Sequence, residues 1–265
     1  MEGGVRRHLQ VPEHRKRGLP EDPLFLLILY RKLGGQKLAF DFALGRRMFN
    51  KSKHYIITGL MVAIFSQTDK IMLKSMIDET VTGYYSAAVA IASISAFVYV
   101  AIIDSFRPII FSFQNDEEKF QLNLKRLYSI VIWLSLLQCV IMTLFADLLV
   151  YFLYGYEYGP STNLLRVVVW FITFSYLGSI RNIWVLAKNK QRYLWIINAL
   201  GACLNVVLNL IMIPHWGAMG ASIASVATQM FTNFILGFIL PPIRDNNKIL
   251  MKSLNPKLIY DLLKK

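Results

Sequence analysis

The sequence predicts an all-α, polytopic membrane protein of about six transmembrane helices, and three observations lead there. Apolar residues make up 55% of the 265 and charged residues only 17%, whereas a soluble domain is about a quarter charged. Mean hydropathy is +0.44, so a water-soluble core cannot absorb all the apolar side chains and the excess must face lipid. The apolar residues are also gathered into runs of about 20, the length that crosses about 30 Å of hydrocarbon. The same composition, with 15 Gly, 9 Pro and 2 Cys, excludes a disordered chain, a collagenous repeat and a disulfide scaffold. Cys139 and Cys203 both fall inside apolar runs and read as small apolar residues.

Taken in order, residues 1–23 form a basic, polar segment without pattern. The short apolar run at 24–30 ends at Arg31-Lys32. Two cations and no small-residue cleavage site follow it, so it is not a signal peptide, and it is too short to span. It reads as the end of a preceding helix, which residues up to 54 connect to the first span. That span, 55–73, is the weakest, because its second half carries Gln67, Thr68, Asp69 and Lys70. The clear spans are 83–103, 127–153, 164–187, 193–213 and 217–240. A six-helix region over 55–240 and a basic tail over 241–265 complete the chain.

Charge sets the orientation. All but Lys70, Lys74, Arg107, Arg166 and Arg181 of the 29 Lys and Arg lie before the first span, in the second-to-third or fourth-to-fifth connection, or after the last span. By the positive-inside rule both termini are cytoplasmic and the number of spans is even. The net charge of +13 is therefore topology, and nucleic acid is not an expected partner. A multi-pass protein of the inner (plasma) membrane is the expectation.

Charges inside spans are costly and need a reason. Asp69 and Lys70 are neighbours that point about 100° apart on a helix. Either Asp69 lies in a water-filled cavity as a proton or cation site, or both sit at headgroup level with Lys70 snorkelling. Asp104 and Arg107, at i and i+3, fit a salt-bridged helix end. Arg166 and Arg181 are fifteen residues apart, close to four turns, so they share one helix face. They form either a track for an anionic ligand or a pair of interface anchors. Asn198, Asn205 and Asn209 share a face of the fifth span, as interhelical hydrogen bonds or as a polar lumen. The small residues of 217–225 allow close helix packing.

No phosphate-binding loop, metalloprotease motif, nucleophile elbow or Cys/His cluster is present. The acidic Asp116-Glu117-Glu118 falls on a connection, and the outer loops are short. A non-enzymatic protein with no catalytic residue, no cofactor and no metal site is expected.

Several segments follow one another in a telling order: Asp69-Lys70-Ile71-Met72-Leu73, Thr82-Gly83-Tyr84-Tyr85-Ser86-Ala87-Ala88, Pro108, Tyr154-Gly155 with Tyr158, and Leu164-Leu165-Arg166. Gly201-Ala202 with Asn205 and Asn209, Ile213-Pro214, and Gly217-Ala218 with Gly220-Ala221-Ser222-Ile223-Ala224-Ser225 come next. Together they resemble the polysaccharide (O-antigen and capsule) flippase family of the multidrug and toxic-compound exporter (MATE-like) superfamily. The resemblance implies one lobe, the C-terminal one, of a two-lobed transporter. It implies a substrate too: an undecaprenyl-pyrophosphate-linked oligosaccharide, moved between leaflets for O-antigen or capsular polysaccharide (lipopolysaccharide) synthesis and driven by an ion gradient. On that reading Arg166 and Arg181 bind the pyrophosphate, Asn205 and Asn209 line the substrate path, and Asp69 couples the ion. The expected partners are the lipid-linked oligosaccharide, membrane lipid, the polysaccharide polymerase and chain-length proteins. A second lobe is needed for transport, either the missing N-terminal lobe or a second copy in a homodimer. The chain matches the back half of the family pattern, and residues 1–23 match none of it, so the expectation is a truncated or frameshifted gene, or a start codon assigned too late. The alternatives are a related gradient-driven multidrug or lipid II exporter, and a non-transporting membrane subunit of a polysaccharide export assembly.

Overall fold

The structure, a computed structural model, describes residues 41–255 together with Leu27, Ile28, Arg31 and Lys32. The expectations for residues 1–23, for most of 24–40 and for the end of the basic tail lie outside the described residues. The chain divides into two compact units, Met1–Lys51 and Ser52–Lys265, and the sites described below lie within the second. No strand occurs among the described residues.

Helix α1 (Phe42–Met76) is followed, across a two-residue turn, by α2 (Glu79–Ala92). Asp78 starts α2 by accepting the Val81 N–H at 2.7 Å, filling one of the donors that a helix start leaves unpaired. A 3₁₀ turn at Ser93–Ser95 joins α2 to α3 (Ala96–Ser112). Asp104 and Arg107 pair there at 3.0 Å, as the i, i+3 spacing predicts. Helix α4 (Glu117–Leu144) is capped by Asp116. Its carboxylate accepts the Lys119 N–H, which holds the Asp116 carboxyl below its usual range. The acidic cluster of the connection is thus a helix start.

The third span expected at 127–153 is divided in the structure. Helix α4 ends at Leu144 and α5 (Ala146–Tyr154) begins after a break at Phe145. The apolar run is continuous, but 28 residues of α4 already extend about 42 Å, more than the hydrocarbon needs. The remaining apolar residues therefore build a separate short helix. Gly155, at φ 84°, turns the chain toward α6 (Ser161–Ala187).

Helix α7 (Leu194–Met230) contains Pro214 and, at Gly217, a backbone outside helical geometry (φ 53°, ψ −132°). Only glycine adopts that conformation without strain. Across this point the two arms fold back on one another. A Cβ on Gly220 would strike the carbonyl of Met212, and one on Gly201 would lie 2.6 Å from Thr232 Cγ2. Residues eight and thirty-one apart along one straight helix would be far apart, so the arms run antiparallel. A π-helical stretch (Phe231–Ile235), α8 (Leu236–Ile239), a 3₁₀ turn (Pro241–Ile243) and α9 (Arg244–Ser253) complete the order.

Among the described residues four helical stretches are long and apolar enough to cross a membrane: 79–112, 117–144, 161–187 and 191–239. Large apolar side chains such as Phe97, Leu137, Leu144, Phe152 and Ile211 point outward, while Asp69, Arg181, Asn205 and Asn209 are buried. Apolar outside and polar inside is the pattern of a bundle whose solvent is lipid.

Candidate functional site: two buried charges in one helix bundle

Two turns bring the first site together. Asp69 lies about eight residues before the α1–α2 turn and Tyr85 about seven after it. Asn209 lies about eight residues before Gly217, and Ser225 about eight after it. At 1.5 Å per residue all four come to rest about 12 Å in from the same end of the bundle. Asn205 sits one turn deeper than Asn209.

The Asp69 carboxylate, 8% exposed, is the centre. Its Oδ1 accepts from Asn205 Nδ2 at 3.1 Å and from Asn209 Nδ2 at 2.6 Å. Its Oδ2 accepts from the Tyr85 hydroxyl at 2.7 Å and from the Ser225 hydroxyl. Asn209 also donates to Asn205 Oδ1 at 3.2 Å. These hydrogen-bond partners are all neutral. Burying a carboxylate is costly unless a cation or a proton offsets its charge, so the cluster stabilises the acid without neutralising it. Asn209 Oδ1, fully buried, has no hydrogen-bond partner among the described residues. An acid, two amide oxygens and a hydroxyl within one cluster are the ligand types a hard cation takes, and protonation of Asp69 would offset the same charge.

The second site lies toward the opposite end. Arg181 is six residues from the end of α6 at Ala187 and is 4% exposed. Its Nη1 donates to the Thr232 carbonyl at 2.8 Å and to Asn233 Oδ1 at 3.0 Å, and its Nη2 to Asn182 Oδ1 at 3.3 Å. The carbonyl is free to accept because the backbone is π-helical there. The Leu236 N–H bonds to Phe231 O, five residues back, and so is withdrawn from Thr232 O, its α-helical acceptor. The Thr232 hydroxyl bonds back to Thr228 O at 2.9 Å, an arrangement that bends helices. Gly178 admits Asn233, whose amide a Cβ at that position would strike. Among the described residues no carboxylate is bonded to Arg181, and its Nε has no partner. Beside it a cavity of about 160 Å³ is lined by Ser175, Ser179, Asn198 and Gln229 among others.

The expected residues therefore fall in three places. Asp69, Asn205 and Asn209 meet. Asn198 joins Arg181 instead of the other two asparagines. Arg166 lies about 22 Å from Arg181 along α6, partly exposed, where it pairs with Asp147 at 2.8 Å and with Asn163 at 3.0 Å. Tyr85 and Ser225 were legible only as members of motif runs, and Thr232 and Asn233 only as two polar residues in an apolar segment.

In a helical membrane protein a buried acid and a separate buried arginine are costly to keep and mark candidate functional positions. A model of the polysaccharide biosynthesis protein family matches residues 24–163. This is more than half of the 265 residues, and the chain belongs to that family. The matched stretch takes in Asp69 and Tyr85. No curated protein and no solved structure matches the chain.

Proposed function

We propose that this chain is a lobe of a two-lobed, MATE-like flippase. It moves undecaprenyl-pyrophosphate-linked oligosaccharide units across the inner membrane for O-antigen or capsule synthesis. The observation that carries this reading is the buried Asp69 carboxylate, held by neutral donors alone beside the unpartnered Asn209 oxygen. A membrane protein retains so costly a group where a proton or cation enters and leaves during its cycle. Gradient-driven transport is therefore favoured over catalysis. The family match supports the polysaccharide pathway. Counting the two antiparallel arms of α7 and its continuation separately makes five spans of the four apolar stretches; the reading takes α1, which is not among those stretches, as the sixth. With six spans, the distribution of Lys and Arg supports cytoplasmic termini.

In this mechanism Asp69 couples the ion. Arg181, with an unpartnered Nε and a cavity beside it, takes the anionic end of the substrate. Arg166 is held by Asp147 and would reach the substrate only after exchanging that partner. The transport path closes against a second lobe, supplied by another segment of the protein or by a second copy. The polymerase and chain-length proteins would receive the product.

The test is complementation of export. Asp69→Asn and Arg181→Ala are placed in the transporter as it occurs in the cell, and surface polysaccharide and lipid-linked intermediates are quantified. The expected outcome is loss of surface polymer with accumulation of the intermediate. Normal surface polymer in both variants contradicts the assignment.

A further inference from the structure

At the end of the bundle where α4 begins and α6 stops, α9 lies across the helix ends and closes a cavity of about 410 Å³. Four lysines line it: Lys188, Lys190, Lys248 and Lys252. Among the described residues two carboxylates, Glu117 and Asp245, line it with them. Glu117 pairs with Lys188 at 2.5 Å and Asp245 with Lys248 at 2.9 Å, leaving two cations uncompensated. Lys190 donates to the Pro242 carbonyl at 2.6 Å and stands over the Trp184 ring at 4.7 Å, so both of its contacts are neutral. Lys252, exposed on α9, has no ion-pair partner among the described residues. The hydrogen bond from Lys248, with the charges of Lys248, Lys190 and Arg244, holds the Asp245 carboxyl below its usual range, as a locally positive potential requires.

We propose that this cavity binds a phosphate oxyanion, with Lys190 and Lys252 as its charge partners. Its position favours the headgroup of an anionic phospholipid as the source. Helices long enough to cross the membrane start and end here, so the lysines stand at the depth of the lipid phosphates. Basic pockets between helices at this depth are a recurrent way of holding anionic lipid. Helix α9 turns Ile249 and Leu250 inward and Lys248 and Lys252 toward the cavity, so a bound headgroup would fasten α9 to the bundle. The site is separate from the Arg181 cavity and stands whether or not the chain transports a lipid-linked sugar.

The test uses the full chain purified in detergent and reconstituted into nanodiscs of phosphatidylglycerol or phosphatidylcholine, with retained lipid counted by native mass spectrometry. Wild type is expected to keep phosphatidylglycerol in preference to phosphatidylcholine. Lys190→Gln/Lys252→Gln is expected to weaken retention roughly thirtyfold, the worth of two lysines at a membrane surface. Lys252→Gln alone is expected to give about fivefold on the same basis; its side chain is exposed and unpaired, so this variant keeps the fold. Titration with inorganic phosphate separates the two sources. Displacement of the lipid by millimolar phosphate makes free phosphate the ligand of the same site, and no displacement makes it the headgroup. Equal retention of the two lipids with no phosphate binding overturns the proposal, as does wild-type retention by Lys252→Gln and the double variant.

Discussion

The two buried charges are handled in opposite ways. Around Asp69, four side chains from three helical elements, α1's hairpin partner α2 and the two arms of α7, converge on one carboxylate and occupy both of its oxygens. Around Arg181, a backbone carbonyl released by the π-helical stretch provides one acceptor and two asparagine side chains provide the others. The arginine's Nε is buried and has no partner among the described residues, and Arg181 is one of the residues that line the neighbouring cavity. Both groups are buried, the arginine at 4% exposure and the acid at 8%; they differ in that Arg181 lines a cavity. An enclosed carboxylate suits an ion small enough to enter a packed cluster. An arginine with unused donor capacity beside a void suits a larger anionic group.

Substitutions that break the comparison should differ in size. Asp69→Ala removes the acceptor of four donors, of which Asn209 keeps Asn205 Oδ1, and at about 1–3 kcal/mol for each of the other three the loss should exceed about 3 kcal/mol. Denaturant unfolding in detergent reads this, and a cost below that of Asn233→Ala would mean that the cluster is wet. Gly220→Ala comes next. Its Cβ meets the Met212 backbone, which cannot rotate away as a side chain could, so about 1–3 kcal/mol is expected from overpacking. Thermal unfolding measures it, and a neutral result would contradict the close approach of the two arms.

Asn233→Ala sharpens the contrast. Arg181 keeps the Thr232 carbonyl, so the cost should stay at about 1–2 kcal/mol, while the cavity enlarges and anion affinity at Arg181 shifts. Smallest of all is Arg166→Gln. Its ion pair with Asp147 is largely exposed, and removing such a pair costs under about 1 kcal/mol. Unfolding indistinguishable from wild type, beside a clear effect of Arg181→Gln, would separate the two arginines that one helix carries.

Much of this was legible in the sequence, for reasons particular residues make plain. The apolar runs announced the helices because lipid imposes length and composition on each. Asp69, Asn205 and Asn209 stood out because polar groups inside spans are rare, yet their meeting depends on two reversals, at Ile77-Asp78 and at Gly217. The break at Phe145 was hidden inside an unbroken apolar run, and with it the Asp147 partner of Arg166. The acceptor at Thr232 is backbone, so no residue type could have marked it. Fifteen residues do place Arg166 and Arg181 on one face of an ideal helix, but the same spacing puts them about 22 Å apart along its axis, too far to share one ligand group.

The most direct test of the central claim, that Asp69 is the ion-coupling group, is gradient-dependent translocation in proteoliposomes. The complete transporter is loaded with a lipid-linked oligosaccharide, and a sodium or proton gradient is imposed across wild-type and Asp69→Asn samples whose folding is matched by thermal unfolding. Translocation by the wild type should rise with one of the two gradients, and the variant should show the same slow rate with and without it. An Asp69→Asn protein that responds to the gradient as the wild type does would contradict the account.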